Sequence, residues 1–380
     1  MGSCGRGEAV SEGRRAKWCY DGGVRRRTAV LWALTLLAGC QGVLSVTSNG
    51  DAIDGQAPRD GGGTVIDAPG VDSSIPPGDT GPPSPASCAD PAADWLLCED
   101  FEAGGGDFAT WFAASDFVTA NGEGDPGRLA LSSAAPHAGR WAIHMPAAAG
   151  SGYQGGDLGW YACEGAQRTN CPLRSYDQLH FRVFVRFAST HEYVHHFLNI
   201  GGSQPDQFWS LGAAGCLPDG EKVIGTTVDH HPVNHETFFY TYFPEMSCDT
   251  ACERYADVAA SCADCASKGL PTCDVQPQCC WGNSFEPSPP VPFPVDRWFC
   301  FEMMMRANTP GAHDGTMAYW IDGALVHQVD GMMWRTSPTL ALNRVRVQHY
   351  IETEDAGGHS NPVWFDDVVV STGPIGCDRF

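Results

Sequence analysis

Apolar and polar residues alternate with a period of two in several short runs. Leu179, Phe181, Val183, Val185 and Phe187 alternate with His180, Arg182, Phe184 and Arg186. Phe299, Phe301, Met303 and Met305 alternate with Cys300, Glu302, Met304 and Arg306, and Val345, Val347, His349 and Ile351 with Arg346, Gln348 and Tyr350. Runs of this kind, bounded by Gly, Pro and Asn, predict β-strands with one face on a core and the other in solvent. Arg182, Arg186, Arg346, Gln348 and Tyr350 are therefore expected on faces away from the core. FFYTYF (238–243) places Tyr240 and Tyr242 on one side of a further strand. Few windows show the helical period, and Gly-rich turns recur between the runs. The expected fold is all-β, a two-sheet sandwich or jelly roll over residues 88–380.

The N-terminal quarter follows a different pattern. Arg25, Arg26 and Arg27 precede the apolar run Thr28 to Ala38, which suits a secretory signal and is too short to span a bilayer. The run ends in Leu37-Ala38-Gly39-Cys40, which resembles the lipobox of bacterial lipoproteins; that resemblance implies cleavage after residue 39 and lipidation of Cys40. Residues 1–23 carry acidic residues unusual ahead of a signal, and Val24 is readable as a GTG start, so they are expected to be untranslated. Residues 41–87, rich in Gly, Pro, Ser and Asp without apolar periodicity, predict a disordered tether. Gln41 after the lipid cysteine resembles outer-membrane sorting. The expectation is an exported protein, lipid-anchored to the outer membrane or cell surface, and monomeric.

Cysteine usage agrees with export. The chain has 17 cysteines, too many for a reducing compartment unless they bind metal. Setting aside Cys4, Cys19 and the lipidated Cys40 leaves an even number available for disulfides. Seven lie in residues 248–280, a small disulfide-rich insertion expected to hold one or two short helices. Because seven is odd, at least one must pair outside the run, with Cys216, Cys300 or Cys377 the candidates. Cys88 with Cys98 and Cys163 with Cys171 are plausible local pairs.

Charge narrows the partners. The formal net charge is −22 over 380 residues, and loss of residues 1–39 would make it more negative. Nucleic acid is excluded as a partner through any general field, because polyanions are repelled at long range. An anionic ligand would require a local cluster of cations. The 43% hydrophobic content excludes wholesale disorder.

The segment WFCFEMMMRANTPGAHDGTMAYWIDGALV (298–326) resembles the strand–turn–strand core of concanavalin-A-like jelly-roll polysaccharide lyases, including alginate and glucuronan lyases. LLCEDFEAG (96–104), SYDQLHFRVFVRFAS (175–189) and PVWFDDVVVST (362–372) resemble that family's first, long arginine-bearing and last strands. The resemblance implies a surface lipoprotein that binds polysaccharide, with β-elimination of a uronic-acid polymer as its chemistry. That reaction needs a group to neutralise the C6 carboxylate, a base for the C5 proton and an acid for the leaving O4. Arg182, Arg186, Arg346 and Gln348 are candidates for the first task, and His195, His196, Tyr240, Tyr242 and Tyr350 for proton transfer. The resemblance also implies a structural calcium ion between Glu102 and Asp366. Trp334 is the candidate for stacking on a sugar ring.

Two other readings stand beside this one. A non-catalytic carbohydrate-binding or structural surface lipoprotein uses the same groove without turnover. A zinc hydrolase would read His191-Glu192-Tyr193-Val194-His195 as H-E-x-x-H, which chelates only on a helix. Its strand-like surroundings argue for an extended conformation instead, and HHPVNH (230–235) is expected to be a polar loop.

Overall fold

The computed structural model describes residues 88–121, 128–147, 155–165, 167–192, 194, 196–208, 214–232, 234–248, 265–267, 269–270, 280–351 and 360–378. The signal peptide, Cys40 and the tether lie outside the described residues, as do His195 and most of the insertion.

The alternating runs form the expected strands. In chain order these are β1 (Trp95–Glu99), β2 (Thr119–Asn121), β3 (Ala130–Ser132), β4 (Ala142–Met145), β5 (Gly156–Tyr161), β6 (Gln178–Phe187), β7 (His196–Ser203) and β8 (Val223–His230). They continue with β9 (Thr237–Tyr242), β10 (Asn283–Phe285), β11 (Phe299–Arg306), β12 (Gly315–Ile321), β13 (Ala324–Met332), β14 (Arg344–Tyr350) and β15 (Val363–Ser371). The helix α1 (Phe108–Ala114) is capped by Asp107, whose carboxylate accepts from Thr110 N at 2.8 Å.

The described strands pair into two antiparallel sheets. One runs β13-β12-β11-β6-β15-β4-β3 with β1 also on β15, and the other runs β10-β9-β8-β7-β14-β5-β2. Strands distant in sequence lie side by side, as β6 between β11 and β15, which is the jelly-roll pattern. The inner faces meet in one apolar core containing Phe181, Val183, Val185, Phe301, Met303, Val345 and Val347. The fold is thus an all-β concanavalin-A-like jelly roll. Turn residues fit their backbone. Asp322 and Gly323 have φ of 51° and 77° and link β12 to β13, where Ile321 pairs with Ala324, as a two-residue hairpin with both central residues left-handed requires. Gly311 after Pro310 also has positive φ, at 77°.

Five disulfides are formed among the described cysteines. Cys88–Cys98 and Cys163–Cys171 pair locally as expected, and Cys265 in the insertion reaches out to Cys216. Cys248–Cys280 joins the two ends of the insertion, and residues 265–267 are helical. Cys300–Cys377 ties the C-terminal segment to β11.

That last link overturns the expectation that the outer face of β6 is wet. His180, Arg182 and Glu302 are 4%, 0% and 6% exposed. Glu302 accepts from His180 Nδ1 at 2.9 Å and from the amides of Ile375 and Gly376, so the tail covers this face. Burial pushes the Glu302 carboxyl up, but the His180 and amide hydrogen bonds outweigh it and hold it below its ordinary value. Burial lowers Arg182 to about 10, opposed by the charges of Asp367 and Glu302, and its guanidinium lies 5.2 Å from the Phe184 ring. Arg182 is a buried structural cation.

Candidate functional site

The outer face of the β10-to-β2 sheet is an open groove of about 550 Å³. Strand register explains which side chains reach it. Tyr240, Thr227, Asn199, Arg346, Gly159 and Thr119 form one row across β9, β8, β7, β14, β5 and β2. The adjacent row is Tyr242, Gly225, Gly201, Arg344 and Tyr161. Bare glycine matters here: a Cβ on Gly201 would come within 3.0 Å of Arg344 Nε, so the guanidinium lies across the strand where a side chain would stand.

His196 enters the groove through an irregularity. Along β7 the consecutive residues Phe197 and Leu198 both pack in the core, so the alternation changes phase there. The β14–β7 register shifts between Val347 and Tyr350, which pairs Tyr350 with His196. Such a bulge re-aims side chains. In the groove His196 Nδ1 lies 3.0 Å from Asp229 Oδ2, while Asp229 Oδ1 accepts from Phe197 N at 3.0 Å. The carboxylate only accepts, so Nδ1 carries the proton and Nε2 is the basic nitrogen. The Tyr240 and Tyr350 rings stand 5.2 Å and 5.8 Å from the imidazole, and the Tyr240 and Tyr242 hydroxyls are 3.2 Å apart.

The cations of the groove come from β14. Arg346 is ion-paired with Asp157 of β5. Burial raises the Asp157 carboxyl, and Arg346 pulls it back. Burial also lowers Arg344 to about 10, which leaves it charged at neutral pH. Asn199 spends its amide on the Thr226 carbonyl and Thr227 Oγ1, at 2.9 Å and 3.1 Å, so it braces β7 to β8.

The structure therefore brings His196, Tyr240, Tyr242, Gln348 and Tyr350 together and leaves Arg182 and Arg186 elsewhere. Arg186, 3.5 Å from Asp296 and over the Trp364 ring, lies on β6 in the opposite sheet. Alternation shows that two residues share a face of a strand, but not which sheet the strand joins. Asp229 and Arg344, which the sequence reading passed over, belong to the groove; the flanking alternation of β14 already put Arg344 on the same face as Arg346. Trp334 is 1% exposed in the core and meets no solvent-borne sugar.

No protein-family profile matches the chain, and no curated protein does. Among solved structures, the marine PL-14 alginate lyase from Aplysia kurodai is 14% identical, with a TM-score of 0.50, over 74% of this chain and all (100%) of that one. The chain has a polysaccharide-lyase-like fold. An alginate lyase from Chlorella virus aligns at 10% identity and TM-score 0.46 over 68% of this chain and 92% of its own. The endo-β-1,4-glucuronan lyase of Trichoderma reesei aligns at 15% and 0.42 over 73% and 96%.

The two carboxylates of the implied calcium pair are each engaged by backbone amides. Glu102 Oε1 accepts from Arg140 N and Trp141 N at 2.6 Å and 2.8 Å, and Asp366 Oδ2 accepts from His137 N at 2.8 Å. Both carboxylates are thus anchored to amide donors of one loop, which compete for lone pairs with an ion that needs an oxygen shell. The H-E-x-x-H helix is also not formed: residues 191, 192 and 194 are irregular and β7 begins at His196.

Proposed function

We propose that this is an exported protein, lipid-anchored through Cys40, whose groove binds a uronate-containing polysaccharide and cleaves it by β-elimination. The observation that carries the reading is the His196–Asp229 pair, flanked by Tyr240 and Tyr350, on the same sheet face as Arg344 and Arg346. The described disulfides support export to an oxidising compartment.

In the reaction, Arg346, Arg344 and Gln348 take the C6 carboxylate and acidify the C5 hydrogen. His196 Nε2 removes that proton, held in the required tautomer by Asp229. The C5–H electron pair becomes the C4–C5 double bond, the C4–O4 bond breaks, and a tyrosine hydroxyl protonates O4. Of the phenols, Tyr240 is assigned this role because its ring is nearest the imidazole and its hydroxyl is linked to Tyr242.

A second reading has its own observation. Arg346 is already paired with Asp157, which lowers the net positive charge of the groove and favours a neutral glycan held without turnover. A panel of alginate, glucuronan and neutral polysaccharides separates the two. The lyase releases unsaturated uronate, read as new ultraviolet absorbance; binding without that product leaves only the second.

A further inference from the structure

Three histidines of HEYVHH (191–196) and HHPVNH (230–235) are buried, against the expectation of a polar loop at 230–235. His191 between β6 and β7, His230 at the end of β8 and His235 in the β8–β9 turn are 2%, 1% and 8% exposed. One ring nitrogen of each lies within 4.8 Å of those of the other two. Phe187 packs against all three, with ring centroids 4.4 Å, 5.5 Å and 6.1 Å away. An aromatic core does not gather imidazoles for packing alone, since each brings two polar nitrogens that need partners.

The hydrogen bonds show which nitrogens are committed. His230 Nδ1 lies 2.9 Å from the His231 carbonyl, an acceptor, so Nδ1 carries the proton and Nε2 is bare. That Nε2 is buried and has no hydrogen-bond partner among the described residues. His191 Nε2 lies 3.1 Å from His349 Nε2, which directs Nδ1 toward His235 Nε2 at 3.3 Å. Metal-binding histidines are wired in this manner, with the inner nitrogen on the ion and the outer one tied to a neighbour. A tetrahedron with Zn–N bonds of ~2.0–2.1 Å has edges of about 3.3–3.4 Å, the separation seen between His191 and His235.

We propose that His191, His230 and His235 bind one transition-metal ion, of which zinc is the type, in the core directly behind the groove. Three imidazoles with no carboxylate suit zinc and its neighbours rather than calcium or magnesium. His349, between the groove residues Gln348 and Tyr350, holds His191 from β14 and is a positioning residue. His230 follows Asp229, the partner of His196. The ion therefore joins the β6–β7 connection, β8 and the β8–β9 turn behind the catalytic row, and its role is structural.

Metal content and stability test this independently of turnover. Untagged protein, purified without chelator, is expected to carry about one zinc per chain by mass spectrometry. Stripping with a chelator lowers the thermal midpoint, and zinc restores it. Cobalt added to the stripped protein gives the visible bands of a tetrahedral nitrogen site. His235→Gln loses the metal, whereas His231→Gln and His313→Gln, at exposed histidines, keep it. His349→Gln weakens binding by roughly 10- to 100-fold. A stripped wild-type protein with no cobalt bands and a midpoint indifferent to zinc overturns the proposal, as does full zinc retention by folded His235→Gln. The wild-type measurements decide the matter even if a variant does not fold.

Discussion

His196 and Asp229 stand 3.0 Å apart on neighbouring strands, with the imidazole in the groove and the carboxylate 2% exposed beneath it. A second Asp229 oxygen is fixed by Phe197 N, so the carboxylate orients the ring. With β-elimination as the reaction, His196→Ala lowers kcat by roughly 10²- to 10⁴-fold, the usual contribution of a general base. Asp229→Asn lowers kcat less and leaves KM near its starting value. Equal rates for wild type and His196→Ala, in a steady-state ultraviolet assay, remove His196 from the mechanism.

Arg344 and Arg346 are assigned to the substrate carboxylate. Removing one charge-assisted contact costs about 1.5–3 kcal/mol. Arg346→Ala is therefore expected to weaken binding of a uronate oligosaccharide by roughly 10- to 100-fold. Its affinity for a neutral oligosaccharide stays unchanged. Calorimetry on both ligands reads the difference, and parallel losses would point to groove collapse instead.

Arg182 serves the fold and not the groove. It is fully buried between β11 and β15 near Asp367 and Glu302. Arg182→Ala strands those carboxylates and is expected to cost about 3–5 kcal/mol in denaturant unfolding. Where the variant remains folded, groove affinity is unaltered. A variant of normal stability with lost binding would return Arg182 to the site.

Asp366 gives the stability a definite pH dependence. Burial, reinforced by Asp367, raises its carboxyl from 3.8 to about 8 in the fold. Between those values the folded chain holds a proton that the unfolded chain releases. This contribution therefore falls as pH rises from about 4 and reaches its floor above about 8. The thermal midpoint should decline across that window, and Asp366→Asn should flatten the decline. An identical slope in the variant assigns it to another group.

Calcium is expected to have no effect on that midpoint. The amides of Arg140 and Trp141 on Glu102, and of His137 and Ala138 on Asp366, already engage oxygens that a shared ion would have to draw on. Scanning calorimetry with calcium and with a calcium chelator checks this. A clear rise with calcium would restore the ion to this pair.

What the sequence determined alone is local. Period-two alternation marked β6, β11 and β14, and short spacing paired Cys88 with Cys98 and Cys163 with Cys171. It also placed Tyr240 with Tyr242, and Gln348 with Tyr350, because residues two apart on a strand share a face. Tertiary structure decided which faces meet what. The tail tied by Cys300–Cys377 buried the β6 face that alternation left wet, and with it Arg182. A register shift gave the groove His196 next to Tyr350, a phase that regular alternation does not contain. His191, His230, His235 and His349 come from three stretches of the chain, and only the pairing of β7, β8, β9 and β14 within one sheet brings their rings together. Local pattern follows from backbone geometry within a few residues, whereas convergence depends on strand pairing across the whole domain.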